Sequence, residues 1–310
     1  MALLESVPNV SEGRDRVVVS DIAMAFGQCG HVLDVHSDPD HHRSVITLVA
    51  EEDDLVEALF AGVERAMRLI DLRRHNGIHP RVGAADVVPI VPLPGGSMSA
   101  AVEVARVLGS RVGAELDVPV FLYGVSGGGR RPAFFRRGGT AELQRRIDED
   151  ELIPDFGPRR LDPAAGAVLV GARPLLVAFN LELSSGGLQD AQAIAAAVRE
   201  SSGGMRGVQA LGLELPGVGL PGVGLPGSGL SGRGRIQVSL NVIDVEEARL
   251  VDVVARVREE AALRDVDVGQ GELVGLMPES AVADPDALGL VALPDDRVLE
   301  RRIAQLRRSE

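Results

Sequence analysis

Two short segments hold most of the side chains that could do chemistry in this 310-residue chain. The first is the run from Arg73 to Val87, which combines two histidines, three arginines and two glycines. An imidazole that titrates near neutral pH can move a proton in either direction, and a guanidinium can hold a carboxylate through two hydrogen bonds. Because Pro80 follows His79, the backbone of His79 favours an extended conformation, which helps to fix its ring. We interpret this run as a site loop, with a solvated basic connection as the alternative.

The second segment is LDVHSDPDHH at residues 33–42, which concentrates carboxylates and imidazoles at the end of a predicted strand. Alternate strand residues point the same way and turn residues can fold back onto one ion, so the pattern could serve a zinc or binuclear hydrolase. Asp-Pro-Asp with polar neighbours is also ordinary turn chemistry. We favour a polar turn without a metal, and keep a metal site that includes His36 and His42 as the alternative.

A third motif, Gly-Val-Ser-Gly-Gly at residues 124–128, has the G-x-S-x-G form of a serine-hydrolase nucleophile elbow. That arrangement needs a histidine after the serine, whereas all six histidines lie between His31 and His79. Gly129 and Pro132 also disfavour the helix that should follow. The motif therefore predicts a glycine-rich loop.

Composition excludes several classes of protein. The chain has no lysine, so its 32 basic residues are all arginine, and mechanisms that need a lysine amine are excluded. A net charge of −13 argues against a nucleic-acid surface, and no apolar run is long enough for a membrane span. Cys29 is the only cysteine, which fits a reducing compartment and predicts a small buried residue. We expect a soluble cytoplasmic protein that binds anions with arginines or backbone N–H groups.

Periodicity predicts the order β-α-β-β-α-β twice, which is that of a ferredoxin-like split unit. In the first half the predicted elements are strand 3–7, helix 17–28, strands 32–36 and 44–50, helix 53–70 and strand 84–91, followed by helix 98–112 and strand 118–123. After a Pro/Gly/Arg-rich stretch at 124–174, to which we assign no element, the predicted elements are strand 175–183, helix 188–200, strands 208–215 and 235–243, helix 245–263 and strand 272–277.

The fold class is therefore α/β, more closely α+β, with two related ferredoxin-like split β-α-β subdomains at 1–175 and 176–310. The Pro/Gly repeat at 216–234 cannot hold a helix or a central strand. We interpret it as the hairpin loop of the second half, a surface insertion in preference to a flap over a site.

Several quoted motifs together resemble glutamate formimidoyltransferase, the transferase portion of formimidoyltransferase-cyclodeaminase. They include VPNVSEGR, LDVHSDPDHHRSV and RHNGIHPRVGAADVVPIVPL in the first half. The resemblance continues through ELDVPVFLYG, PDFGP, GAVLVGARPLLVAFNLEL, QVSLNVID and GELVGLMPES, so it covers nearly the whole chain in order.

The resemblance implies N- and C-terminal formiminotransferase subdomains, a homodimer, and transfer of the formimino group from N-formimidoyl-L-glutamate to tetrahydrofolate, its co-substrate. It assigns the catalytic role to His79 and leaves the next step to a separate cyclodeaminase. The stretch that it implies for folate binding comprises Gly157, Pro158, Arg159, Arg160, Leu161, Asp162, Pro163, Ala164, Ala165 and Gly166.

This chemistry suggests partners for the donor. The formimino group is cationic and calls for a carboxylate, whereas the two carboxylates of the donor call for arginine. The candidates by motif are Glu12, Asp34 and Asp38 for the cation, and Arg43, Arg74 and Arg81 for the carboxylates. His75 is a candidate for ordering the loop.

The chain departs from the family pattern at four positions. It has His36 where an aspartate is frequent, His42 where an asparagine precedes the motif arginine, and Ile78 and Ala165 where mammalian members have glutamate and tryptophan. The alternatives are a formylglutamate-using relative, a noncatalytic folate-binding relative and a metal-dependent hydrolase of an amidine or amide.

Overall fold

The protein folds into two compact units, Met1–Leu175 and Leu176–Glu310. The computed structural model describes residues 3–77, 80–215, 234–245 and 247–309. Among these residues no helix combines the length and the apolar character needed to cross a membrane.

A seven-stranded sheet forms the first unit. Its strands are β1 (Leu4–Ser6), β2 (Asn9–Val10), β3 (His31–Asp38), β4 (Arg43–Ala50), β5 (Ala85–Pro92), β6 (Val120–Leu122) and β7 (Val168–Ala172). Its helices are α1 (Arg16–Phe26), α2 (Glu52–Leu69), α3 (Met98–Glu115), α4 (Pro132–Arg136) and α5 (Gly139–Asp148).

The short strands β1 and β2 occupy one position in this sheet, because both pair antiparallel with β4 on one side and β5 on the other. The order is therefore β3, β4, β1 with β2, and β5, which is the ferredoxin-like order that the periodicity predicts. Beyond β5 the sheet continues with β7 and β6, which run parallel to it.

Local sequence explains the two helices of the split unit. The Asp15 carboxylate accepts the backbone N–H groups of Val17 and Val18 and so caps α1. Helix α2 begins with three acidic residues, which suit the positive end of the helix dipole. Both helices bury one apolar face against the sheet, as their 3.6-residue periodicity predicts.

The second unit is a four-stranded antiparallel sheet in the order β11, β8, β10, β9. Its strands are β8 (Val177–Leu183), β9 (Val208–Leu215), β10 (Arg235–Val242) and β11 (Val268–Val274). Its helices are α6 (Leu188–Val198), α7 (Leu250–Ala262), α8 (Pro285–Leu288) and α9 (Leu299–Ser309). This sheet repeats the ferredoxin-like order, so the predicted fold class is confirmed. The predicted pairing of strands 208–215 and 235–243 as a hairpin is confirmed, since β9 and β10 pair antiparallel and Leu215 lies opposite Arg235. The predicted loop 216–234 lies outside the described residues except for Gly234.

Three predictions were wrong in detail. The stretch 124–174 contains α4, α5 and β7, a strand buried on both faces, whose continuous apolar run lacks alternation. The last strand begins at Val268 and not at residue 272, because glycines and a register shift hide its pattern. Cys29 is exposed, since it lies in the turn between α1 and β3.

Candidate functional site

Three segments meet at one end of the strands in the first sheet, namely the VPNVSEGR motif at 7–14, the turn between β3 and β4, and the site loop before β5. The segment after β2 is tied to the connection before β5, because the Ser11 N–H donates to the carbonyl of Ala84 and the Ser11 hydroxyl to that of Gly83, both at 2.8 Å. The Ser44 hydroxyl on β4 donates to the Glu12 carbonyl at 2.6 Å. Arg14, the last residue of the VPNVSEGR motif, links the turn to the site loop, because it donates to the Pro39 carbonyl and to the Asn76 side chain.

Two glycines permit this close approach. A Cβ atom on Gly13 would lie 2.2 Å from the Asp38 carbonyl oxygen, and one on Gly77 would lie 2.4 Å from the His41 carbonyl oxygen. Any other residue at either position would force the backbones apart, so the three segments depend on glycine here.

The turn between β3 and β4 is organised by the Asp38 carboxylate. Its Oδ1 accepts the N–H groups of Asp40 and His41 at 2.8 and 2.9 Å, and its Oδ2 lies 2.5 Å from Nδ1 of the His41 ring. Burial raises the pKa of Asp38, but these hydrogen bonds outweigh it and lower the pKa to about 2. The carboxylate is therefore ionised at neutral pH and holds the turn together.

His42 continues this turn with a left-handed backbone, at φ 49°. Among residues other than glycine, asparagine, aspartate and histidine adopt this conformation most readily, so a histidine suits this position. The Gly13 N–H donates to His42 Nδ1 at 3.2 Å, and Glu12 Oε1 lies 3.4 Å from the same nitrogen. A nitrogen that accepts from Gly13 cannot also donate to Glu12, so we assign the ring proton to Nε2. Burial lowers the pKa of His42, which favours this neutral form.

His75 orders the site loop, as the sequence suggested. Its Nε2 lies 2.9 Å from the His42 carbonyl, and its Nδ1 accepts the Gly77 N–H at 3.1 Å. The two rings of His42 and His75 lie 4.1 Å apart, and Arg81 contacts the His75 ring. Arg81 also donates to the His41 carbonyl at 3.1 Å, and burial lowers its pKa to about 10, which keeps it protonated at neutral pH.

This environment makes stability depend on His75 below neutral pH. Burial and the Arg81 charge lower the pKa of His75 to about 4, whereas an unfolded histidine has a pKa of about 6.5. The unfolded state therefore binds more protons between these two values, and stability falls as the pH decreases through this window, by about 1–2 kcal/mol because solvent screens part of the effect at this half-buried ring.

We expect a His75→Gln variant to lose this part of the pH dependence. Urea unfolding of both proteins at pH 7.5 and 4.5 measures it. A His31→Gln variant, which changes an exposed histidine on β3, is the matched control and should keep the wild-type dependence. An identical fall in stability for wild type and His75→Gln would contradict the assignment.

Asp86 is a buried carboxylate that the sequence analysis left without a role. Its Oδ1 accepts the N–H of Val82, four residues earlier in the site loop, at 2.8 Å. Its Oδ2 accepts from Arg43 Nη1 at 2.9 Å and from Arg136 Nη2 at 2.5 Å. Arg43 Nε donates in addition to Oδ1 of Asn9, in the VPNVSEGR motif, at 2.8 Å. One carboxylate thus joins β4, the site loop and the end of α4.

A sequence signal for Asp86 exists, because it is a lone charge in an apolar strand and a buried charge requires a partner. Arg136 carries no such signal. Its partner lies 50 residues away in the chain.

The other predicted residues are placed as follows. Asp34 lies on β3 opposite Thr47, and Glu12 Oε1 accepts the N–H groups of Arg14 and Asp15. Arg74 is 88% exposed beside Asp71, so the structure does not bring it together with the other predicted site residues. The predicted catalytic residue His79 lies outside the described residues.

The stretch 157–166 packs against the site loop. The carbonyls of Ala164 and Ala165 accept the N–H groups of Leu72 and Ala84 at 2.9 and 2.8 Å. Its turn is closed by Asp162 Oδ1, which accepts the N–H groups of Ala164 and Ala165. The buried members are Leu161, Ala165 and Gly166, and the exposed ones are Gly157, Arg159, Arg160, Asp162 and Pro163.

Two alternative sites receive little support. In the described part of the chain, no group of three or more His, Cys, Asp or Glu side chains is arranged to hold a metal ion. Ser126 of the G-x-S-x-G motif lies in a short 3₁₀ helix, and its hydroxyl accepts the Ala172 N–H at 3.0 Å. This serine has a structural role, joining the end of β6 to β7.

Comparison with known proteins identifies the family. Residues 3–173 match the formiminotransferase domain, N-terminal subdomain, and residues 178–287 match the formiminotransferase domain. A glutamate formimidoyltransferase of Thermoplasma acidophilum is 38% identical over 98% of both chains, and one of Streptococcus pyogenes serotype M1 is 34% identical over 91% of both. The chain is also 38% identical to a formimidoyltransferase-cyclodeaminase of Rattus norvegicus over 92% of its own length, but spans only 52% of that relative. The chain belongs to the formiminotransferase family, which confirms the resemblance seen in the sequence.

Proposed function

We propose that this protein transfers the formimino group from N-formimidoyl-L-glutamate to tetrahydrofolate, giving 5-formimidoyltetrahydrofolate and L-glutamate. Membership of the family and the names of the full-length relatives support the reaction. The observation that carries the proposal is that the VPNVSEGR motif and the β3–β4 turn both contact the site loop. This loop is anchored by His75 near its start and by Asp86 near its end.

In the proposed reaction, N5 of tetrahydrofolate attacks the formimino carbon. The new C–N bond forms, N5 loses a proton, and the bond from that carbon to the glutamate nitrogen breaks as this nitrogen gains a proton. His79 accepts the first proton and delivers the second, so one neutral imidazole is regenerated in each cycle. The loop anchored by His75 and Asp86 would position it.

The remaining assignments belong to the same proposal. Glu12, Asp34 and Asp38 are the carboxylate candidates for the cationic formimino group, although Glu12 and Asp38 also accept backbone N–H groups. Arg43 contacts the buried Asp86 and Arg81 donates to the His41 carbonyl, whereas Arg74 is 88% exposed, so these contacts favour Arg43 and Arg81 for the donor's carboxylates.

We propose that residues 157–166 bind folate. Their contact with the site loop supports this assignment.

The test is incubation of the purified, untagged protein with formimidoylglutamate and tetrahydrofolate, with 5-formimidoyltetrahydrofolate and glutamate both measured. We expect one of each product per donor consumed. Turnover of formylglutamate but not of formimidoylglutamate would overturn the donor, and loss of activity on chelation together with stoichiometric zinc would favour the hydrolase. Folate binding without turnover would indicate a noncatalytic relative.

We also propose a homodimer, which sedimentation equilibrium would test. The product would be a substrate for a cyclodeaminase, the second activity in the name of the rat relative.

A further inference from the structure

The buried group formed by Arg43, Asp86 and Arg136 has more positive than negative charge. Both guanidinium groups donate to the same oxygen, Asp86 Oδ2. The Asp86 side chain is 1% exposed, and those of Arg43 and Arg136 are 12% and 13% exposed. These three side chains together therefore carry a formal charge of +1.

The concentration of positive charge affects both Asp86 and Arg43. Burial raises the pKa of Asp86, but the charges of Arg136 and Arg43 outweigh it and lower the pKa below its ordinary value. Burial and the neighbouring Arg136 charge lower the pKa of Arg43 to about 9, which still leaves it protonated at neutral pH. Arg81 adds a further positive charge within electrostatic reach of Asp86 and Arg136.

One polar group of these three side chains is unused. Within the described residues, Arg136 Nε is buried without a hydrogen-bond partner. The nearby Tyr123 hydroxyl is buried, which raises its pKa to about 12, and it interacts with Arg173 as well as with Arg136. A buried donor without an acceptor is costly, and here it accompanies a concentration of positive charge.

We propose that Arg43 and Arg136, held side by side by Asp86, bind a carboxylate group of a substrate, with Arg136 as a binding residue that no motif indicates. This inference rests on the proposed function, in which both substrates bring carboxylates to the protein. A carboxylate would compensate the positive charge and accept from Arg136 Nε, which has no acceptor among the described residues. A purely structural pair would need only one arginine per carboxylate, and the second arginine is what the proposal explains.

The donor and the glutamyl tail of folate both supply this chemistry, and kinetics separates them. The variant Arg136→Gln should raise KM about 10- to 100-fold for the substrate whose carboxylate binds here, with a much smaller effect on kcat. Arg137→Gln is the matched control. It makes the same change one residue later, at an exposed arginine, and should leave both constants unchanged.

Comparison of the variant with truncated substrates, as in a double-mutant cycle, then distinguishes direct binding of the carboxylate by Arg136 from an indirect effect on the site. Donors that lack one carboxylate, N-formimidoyl-2-aminobutyrate and N-formimidoyl-4-aminobutyrate, are compared with formimidoylglutamate, and pteroate-type tetrahydrofolate with the glutamylated form. If Arg136 binds the missing carboxylate, the losses from the variant and from the truncated substrate will not add. An equal fold-loss on every substrate would overturn the proposal and leave Arg136 a structural role.

Two further measurements keep the inference testable. Thermal unfolding shows whether Arg136→Gln folds, and Arg136→Lys, which keeps the charge but loses the planar fork, should give an intermediate KM. If the wild type shows no transfer at all, the proposed function fails. Calorimetry with glutarate then tests the site by itself, since binding to wild type that is at least tenfold weaker in Arg136→Gln supports it, and equal or absent binding overturns it.

Discussion

Replacement of His79 by alanine will lower kcat for formimino transfer by about 10²- to 10⁴-fold, the usual contribution of a general acid–base group. The proposed reaction needs a proton removed from the attacking nitrogen and one delivered to the leaving nitrogen. Without the imidazole, both transfers must go through water. The measurement is steady-state formation of 5-formimidoyltetrahydrofolate at saturating substrates.

Three controls make this result specific. His31→Ala alters an exposed histidine on β3 and should retain wild-type kcat. KM for both substrates should change little in His79→Ala, because the residue is assigned to proton transfer and not to binding. Added imidazole should restore part of the activity of His79→Ala. A variant that retains more than a tenth of wild-type kcat would show that another group moves the proton.

Replacement of Asp86 by asparagine will lower the free energy of unfolding of the first unit by about 3–5 kcal/mol, the cost of removing one partner from a buried ion pair. Asp86 is fully buried, and its loss removes the carboxylate that both Arg43 and Arg136 contact, so their two positive charges are left close together. The hydrogen bond that anchors the site loop at Val82 would weaken as well.

Urea unfolding at neutral pH measures this loss, with Glu103→Gln as the control. Glu103 pairs with Arg106 on α3 at 3.5 Å, both side chains are more than half exposed, and such a pair contributes little to stability. The control should therefore unfold close to the wild-type midpoint. If Asp86→Asn were equally unaffected, the three-residue cluster would not hold the unit together.

The two variants test different parts of the same loop. Asp86→Asn should also reduce transfer, since it releases the end of the loop. A loss of activity in Asp86→Asn without loss of stability would indicate that Asp86 acts on the reaction beyond its structural role.

Local patterns were sufficient for the split units themselves. The helices α1 and α2 carry their 3.6-residue apolar faces and, for α1, a capping aspartate within a few residues. Apolar and polar residues alternate along much of β9 and β10, and the Pro/Gly repeat lies between the two strands in the sequence, so their pairing was predictable. In contrast, β7 could not be placed between β5 and β6 from its sequence, because a uniformly apolar strand indicates burial but not its neighbours.

The site divides in the same way. The sequence by itself determined the family through its motifs, and it confined imidazole chemistry to residues 31–79 and anion binding to arginine and backbone N–H groups. These are properties of residue type, and they hold whatever the chain's path.

Only the tertiary structure decided which arginines share a carboxylate. Asp86 meets Arg43 and Arg136 across 43 and 50 residues of chain, and Arg74, which is nearer to Asp86 in sequence, is exposed. The strand order of the sheet and the packing of α4 set these distances. Neither the strand order nor the packing of α4 produces a pattern in the local sequence, because a buried ion pair forms where two segments that are distant in the chain meet.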